Sequence, residues 1–160
     1  MVVSRFWTKA IPEQVSGDEV AVRAILTPYH LNKSGKKLHR KAFASPPEVD
    51  EVSVSRAPYV PLTIAKMYAK MFVQRRNGNP AKLFMGLAFV DVSKVRQVTS
   101  DVVDSRGEYL GHGDIVHGVV VPKGEPLPPA VQLALDNKLD GILKAAQYLP
   151  DPDPRAVRWK

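Results

Sequence analysis

The sequence predicts an α+β protein, a single compact domain with a mixed or antiparallel sheet and two main helices at about 63–77 and 129–148. Three observations predict it. Apolar residues alternate with period two in several short runs, and only two segments carry the wider apolar spacing of a helix. The order is strands, helix, strands, helix, which lacks the regular alternation of a doubly wound protein. The 160 residues fit one domain, taken as 1–149, with a Pro-rich tail over 150–160.

The elements follow in order. VVSRFW near the start reads as a strand, and so does EVAVRAIL. In the latter, Val20, Val22, Ala24 and Leu26 share one face, and Ala21, Arg23 and Ile25 share the other. EVSVSR alternates in the same way, with Val52 and Val54 opposite Ser53 and Ser55. The first helix is predicted from Thr63 as N-cap, with Ile64, Met67, Tyr68, Met71 and Phe72 as its buried stripe. KLFMGLAFVDV is apolar enough for a strand buried on both faces. Ser93 is placed to cap one helical turn over Lys94, Val95 and Arg96. SDVVDSRGEYLG reads as a short strand and turn, and HGDIVHGVVV as an interior strand. The last helix places Val131, Leu135, Leu139, Ile142, Leu143 and Ala146 on its apolar side.

Composition removes several classes of function. There is no cysteine, which excludes disulfides, thiolate zinc sites and a cysteine nucleophile, and suits a reducing cytoplasm. Arg5 and Lys9 interrupt the opening MVVSRFWTKAIPEQ, so neither a signal peptide nor a membrane anchor is expected there. The net charge of +7 favours an acidic partner, either nucleic acid or an acidic protein surface.

The densest chemistry lies in GEYLGHGDIVHG, residues 107–118. On a strand, His112 and Asp114 share a face while His117 points the other way. Two histidines on opposite faces do not converge on one ion, so no metal site is expected. His112 beside Asp114 can supply a base and its orienter. The plainer reading is a histidine bonded to a turn and an aspartate capping a loop. Gly111 and Gly113 allow a bulge or the close approach of a ligand. Ile115, Val119 and Val121, with His117, are expected to pack on the helix that carries Met67 and Met71, His117 being held neutral by a backbone hydrogen bond.

A second candidate is the segment with Lys33, Lys36, Lys37, Arg40 and Lys41, which has no acid between Leu31 and Pro47. It is expected to be an exposed basic loop with one turn of helix near Leu38 to Phe43. Lysines neutralise phosphates and a flanking aromatic, here Tyr29 or Phe43, stacks on bases. A solvated charge run is the ordinary alternative.

Two resemblances accompany these residues. RKAFASPPEVDEVSVSR, the helix, GLAFVDVSKVRQV and HGDIVHG together resemble a group of small bacterial proteins that has no assigned activity and carries an F…L-S-V-x-R stretch and a later H-A-[DE]-I-x-G. Gly113 stands here in place of that alanine. By element order alone, the chain is similar to the ADP-ribosyltransferase-like fold, including the small RES-type toxins, whose members bind NAD in a cleft between two short sheets. Position by position this resemblance implies Arg5 as the early cation, Ser53 or Ser55 as the mid-domain hydroxyl and Asp114, assisted by His112, as the late acid. The implied function is a small bacterial or phage effector with NAD as substrate and no other cofactor. The alternative is a non-enzymatic basic module, binding nucleic acid or an acidic protein in a toxin–antitoxin, immunity or phage-type locus.

Overall fold

The alternation of Val52 and Val54 against Ser53 and Ser55 becomes a division between the two faces of one sheet. The computed structural model describes residues 11–75 and 82–152. Its strands are β1 (Val20–Leu26), β2 (Val52–Ala57), β3 (Phe84–Asp91), β4 (Asp101–Asp104), β5 (His112–Val116) and β6 (Gln147–Pro150). They form a single antiparallel sheet in the order β4-β5-β2-β1-β3-β6. The helices are α1 (Leu62–Arg75), α2 (Val92–Gln97) and α3 (Pro129–Ala145), and a 3-10 helix spans Arg40–Phe43. This is the predicted α+β domain.

The main core lies between one face of the sheet and α3. Ala21, Ile25, Val52, Val54, Ala88, Val90, Val102 and Ile115 meet Leu135, Leu139 and Ile142 there, together with Val92 and Val95 of α2 and Ala42 and Phe43 of the 3-10 helix. A smaller core on the other face joins Val22, Phe84 and Leu87 to Ala65 and Ala69 of α1. β3, with a helix on each side, is buried on both faces as its composition predicts.

Several expectations need correction. Ile115 is fully buried, but it packs in the core beneath α3 and not on α1. Its strand stops at Val116, because Gly118 turns the chain with a φ of +76°. Val121 still packs against that main core from outside the strand. On α1 the buried row is Ala65 and Ala69, while Phe72 is 47% exposed and Met67 and Met71 are half-buried. Two alanines one turn apart let the helix lie close to the strands, which large side chains in that row would prevent. α1 begins at Leu62, so Thr63 is inside the helix, and α2 begins at Val92 with Asp91 at its N-cap, so Ser93 is not a cap. α3 ends at Ala145, and residues 147–150 leave it as strand β6. The first residues assigned to the tail therefore belong to the sheet edge, where Asp151 N donates to Met85 O. Residues 153–160 and the first expected strand, VVSRFW, lie outside the described residues.

The sheet is nearly two sheets. β1 pairs with β3 along its whole length but with β2 only through Val20–Val22 against Ser55–Ala57. Beyond Val22 the three-stranded halves β4-β5-β2 and β1-β3-β6 part. The backbone acceptors exposed by the parting must find other donors. Arg23 supplies them: its Nε donates to Ala42 O and its NH1 to Ser53 O, each at 2.9 Å.

The other half of the fastening is Arg56, 1% exposed. Its guanidinium forks onto Glu19 at 2.7 and 2.9 Å, and its NH1 reaches Asp104 at 2.6 Å and Pro12 O at 2.7 Å. One side chain of β2 thus holds the segment preceding β1 and the edge strand β4. Removing one partner of a buried pair strands the other charges without solvent. Arg56→Ala should cost about 3–5 kcal/mol in urea unfolding, or prevent folding. Ile115→Ala should cost about 2–5 kcal/mol in the same assay, as truncations under a packed helix do.

Candidate functional site

The register of β2 and β5 assembles the polar residues that the alternation only put on the same side. Ser53 lies opposite Asp114, and Ser55 lies opposite His112. Paired residues of an antiparallel ladder point to the same face. All four therefore share the face on which α1 lies, opposite to Ile115. Ser55, His112 and Asp114 are buried, while Ser53 is exposed. Asp114 lies between Ser53 on β2 and Val103 on β4, and Val103 is 39% exposed, so the acid sits in a shallow, open-rimmed position.

Tyr109, from the turn before β5, joins this group. Its hydroxyl and Ser55 Oγ share a hydrogen bond of 2.6 Å. Its ring stacks on Tyr68 of α1 at 4.1 Å and meets the His112 ring edge-on at 4.9 Å. Burial pushes the Tyr109 phenol up, so it stays neutral and able to donate. His112 Nδ1 lies 3.0 Å from Ser105 O. A carbonyl only accepts, so Nδ1 carries the proton and Nε2 of the neutral ring is left as the acceptor. The histidine bonds a turn, as the plainer reading has it, and its orienter is the Ser105 carbonyl and not Asp114; its second nitrogen has no partner among the described residues.

Asp114 is the anomaly. The residue is 6% exposed, no donor among the described residues reaches its carboxylate, and the carboxylate oxygens keep contact with solvent at the open rim. Arg23, at the parting of the sheet, is its charged neighbour. Burial lowers the Arg23 guanidinium to about 10, and the Asp114 charge opposes that fall.

Glycine at 113 is explained by packing and not by a bulge. The register runs through it without a break, from Val54 on one side to Asp104 on the other. A Cβ there would lie 2.9 Å from Val103 O and 3.3 Å from the Arg56 side chain. Gly111, with a φ of +83°, instead turns the chain into β5.

The other predicted residues separate. Arg5 lies outside the described residues. His117 is a core histidine, as expected: its Nε2 donates to Phe43 O at 2.7 Å, and its Nδ1 accepts from Ser100 Oγ at 2.8 Å. Burial lowers its pKa. Arg40 leaves the basic group, being paired with Asp136 and Asp140 of α3. Lys33 and Lys41 line a cavity of about 190 Å³ with Pro28, Tyr29, Leu31, Asn32 and His39. A second cavity of about 280 Å³ lies between Val20, Phe89, Asp91, Ala145 and Gln147, and neither cavity touches His112 or Asp114. Sequence reasoning missed Arg23, Tyr68 and Tyr109 as members of the site. For Arg23 a signal existed, since it stands alone among apolar residues on the core-facing side of VAVRAIL.

No family model, curated protein or solved structure matches this chain.

One histidine near the site gives a test of its electrostatics. His30 Nδ1 accepts from Leu26 N at 3.0 Å, and burial, followed by the Arg23 charge, lowers its pKa from 6.5 to about 3. His30 and His117 are neutral in the fold, and both take up protons on unfolding below about pH 6.5. Their contribution is full above that pH and is lost as the pH falls toward the folded values. Urea midpoints should therefore drop between about pH 7 and 4.5, before the carboxylates protonate. His30→Asn, which keeps an acceptor for Leu26 N, should flatten that dependence.

Proposed function

We propose that the protein is a small effector that cleaves NAD or transfers its ADP-ribosyl group, with Ser53, Ser55, Tyr109, His112 and Asp114 forming the reaction centre. The observation that carries the reading is the register of β2 and β5, which sets Asp114 beside Ser53 and His112 beside Ser55 on one face, with an acceptor nitrogen left on the imidazole.

The chemistry follows from charge. When the bond between nicotinamide and ribose breaks, its electron pair leaves with the nicotinamide, which departs neutral. The ribose carbon becomes electron-poor, with oxocarbenium character. A fixed carboxylate stabilises that charge. Asp114 in this role also accepts a hydrogen bond from a ribose hydroxyl. His112 Nε2 takes the proton of the attacking water or target hydroxyl as its oxygen bonds to the ribose carbon. Ser55 and Tyr109 orient the sugar or the carboxamide, and Arg23 supplies a nearby positive charge.

Nicotinamide release from NAD, followed by chromatography with and without candidate target proteins, tests the reading. Asp114→Asn should lower the rate by about 10²-fold or more, as loss of a preorganised electrostatic group does. Its urea midpoint should be nearly that of the wild type, since the amide has the same shape and breaks no hydrogen bond among the described residues. A wild-type protein that neither releases nicotinamide nor binds NAD by calorimetry would overturn the proposal.

A further inference from the structure

We infer that the loop joining β1 to β2 is a docking site for single-stranded nucleic acid, seating one unstacked base against Tyr29 with neighbouring phosphates on Lys33 and Lys41. The inference is independent of the NAD reading and uses a different part of the molecule.

The loop is built and not merely charged. Leu31 and Leu38 form an antiparallel bridge, reinforced by Asn32 N to Lys37 O at 2.8 Å and His39 N to His30 O at 2.9 Å. Gly35 takes a φ of +71° at the tip. Asn32 Oδ1 accepts from Ser34 Oγ, Lys36 N and Lys37 N, which holds the tip from inside. The small hairpin thus presents Lys33, Lys36 and Lys37 on a fixed backbone. A preorganised loop loses less entropy on binding than a mobile one.

Several cations of the loop are unpaired and close in sequence. Arg40 is neutralised by α3, but Lys33, Lys36, Lys37 and Lys41 have no carboxylate within ion-pair distance among the described residues. No acid lines the cavity at the hairpin's base. His39 Nδ1 accepts from Lys41 N, so in the neutral ring Nε2 bears the proton, a further donor among the lysines.

Tyr29 decides between partners. It is 60% exposed, with Lys41 Nζ 5.4 Å from its ring centroid, and it borders the same cavity. An exposed aromatic face beside an ammonium suits a nucleobase, since every base has a face to stack on it and its phosphates meet the neighbouring lysines. A duplex keeps its bases stacked on each other, so an open strand is the better fit. Lys36 and Lys37, beyond the cavity, continue the positive track past one nucleotide, which favours a strand over a mononucleotide.

Fluorescence anisotropy with short labelled single-stranded RNA and DNA tests this. Binding should weaken steeply between about 50 and 200 mM salt. Tyr29→Ala should weaken it by about 5- to 150-fold. Lys33→Ala and Lys41→Ala should each reduce the salt slope by about one. Lys94→Ala, on the exposed side of α2, should change nothing, and Asp114→Asn should bind normally, which keeps this outcome separate from that of the NAD assay. No saturable binding at low salt would overturn the inference. So would binding indifferent to Tyr29→Ala, or equal affinity for duplex or for anionic lipid vesicles.

Discussion

The structure depends on one buried cation. Arg56 carries a full charge into the interior, where charge is expensive, and the architecture around it exists to satisfy that charge. Glu19 comes from the segment entering β1, Asp104 from the end of β4, and Pro12 lends a carbonyl. Asp104 is in turn shared with Arg106, whose NH2 donates to Ile11 O. The chain's beginning is thereby tied to the far edge of the sheet. The Val103 carbonyl of β4 and the Arg56 side chain close together on β5 at residue 113, which is why that residue has no side chain. β5, the strand that carries His112 and Asp114, is thus fixed in place by the requirements of a residue on its neighbour.

Two arginines divide the work of holding the sheet. Arg56 acts where the halves are joined, and Arg23 acts where they part. Without Arg23, the Ser53 carbonyl would face the gap with no donor. The same residue lies electrostatically between Asp114 on one side and His30 on the other. The polar face of β2 and β5 and the base of the basic loop are consequently two surroundings of one guanidinium.

Much of this was legible in the sequence, and the limits have physical causes. Period-two alternation gave the faces of β1 and β2 and the opposition of His112 and Asp114 to Ile115 and His117, because side-chain direction in a strand is local. It did not say which helix lies on which face, and so Ile115 was assigned to the wrong one. On α1 the apolar spacing suggested a stripe of large residues, but the helix buries its alanines, since closeness to the strands outweighs side-chain size. Strand β6 was hidden because Gln147 to Pro150 continues the polarity of a helix end; only its pairing with β3 makes it a strand. Ser53, Ser55, His112 and Asp114 were each identified, but their convergence is a matter of register, which no local pattern contains. Tyr109 was passed over as part of a turn, and Arg56 as the end of a strand.

Both margins of the sheet are short and closed. β4 and β6 have four residues each; β4 carries an aspartate at either end, and β6 ends in proline. A neighbouring chain seeking to extend the ladder would meet like charges or a missing amide donor within two residues. The two described edges, β4 and β6, are therefore poor templates for strand addition. Anything that recognises the described part of the protein must then come to a face or a loop, and crowding at high concentration should not draw these edges into fibrous stacks.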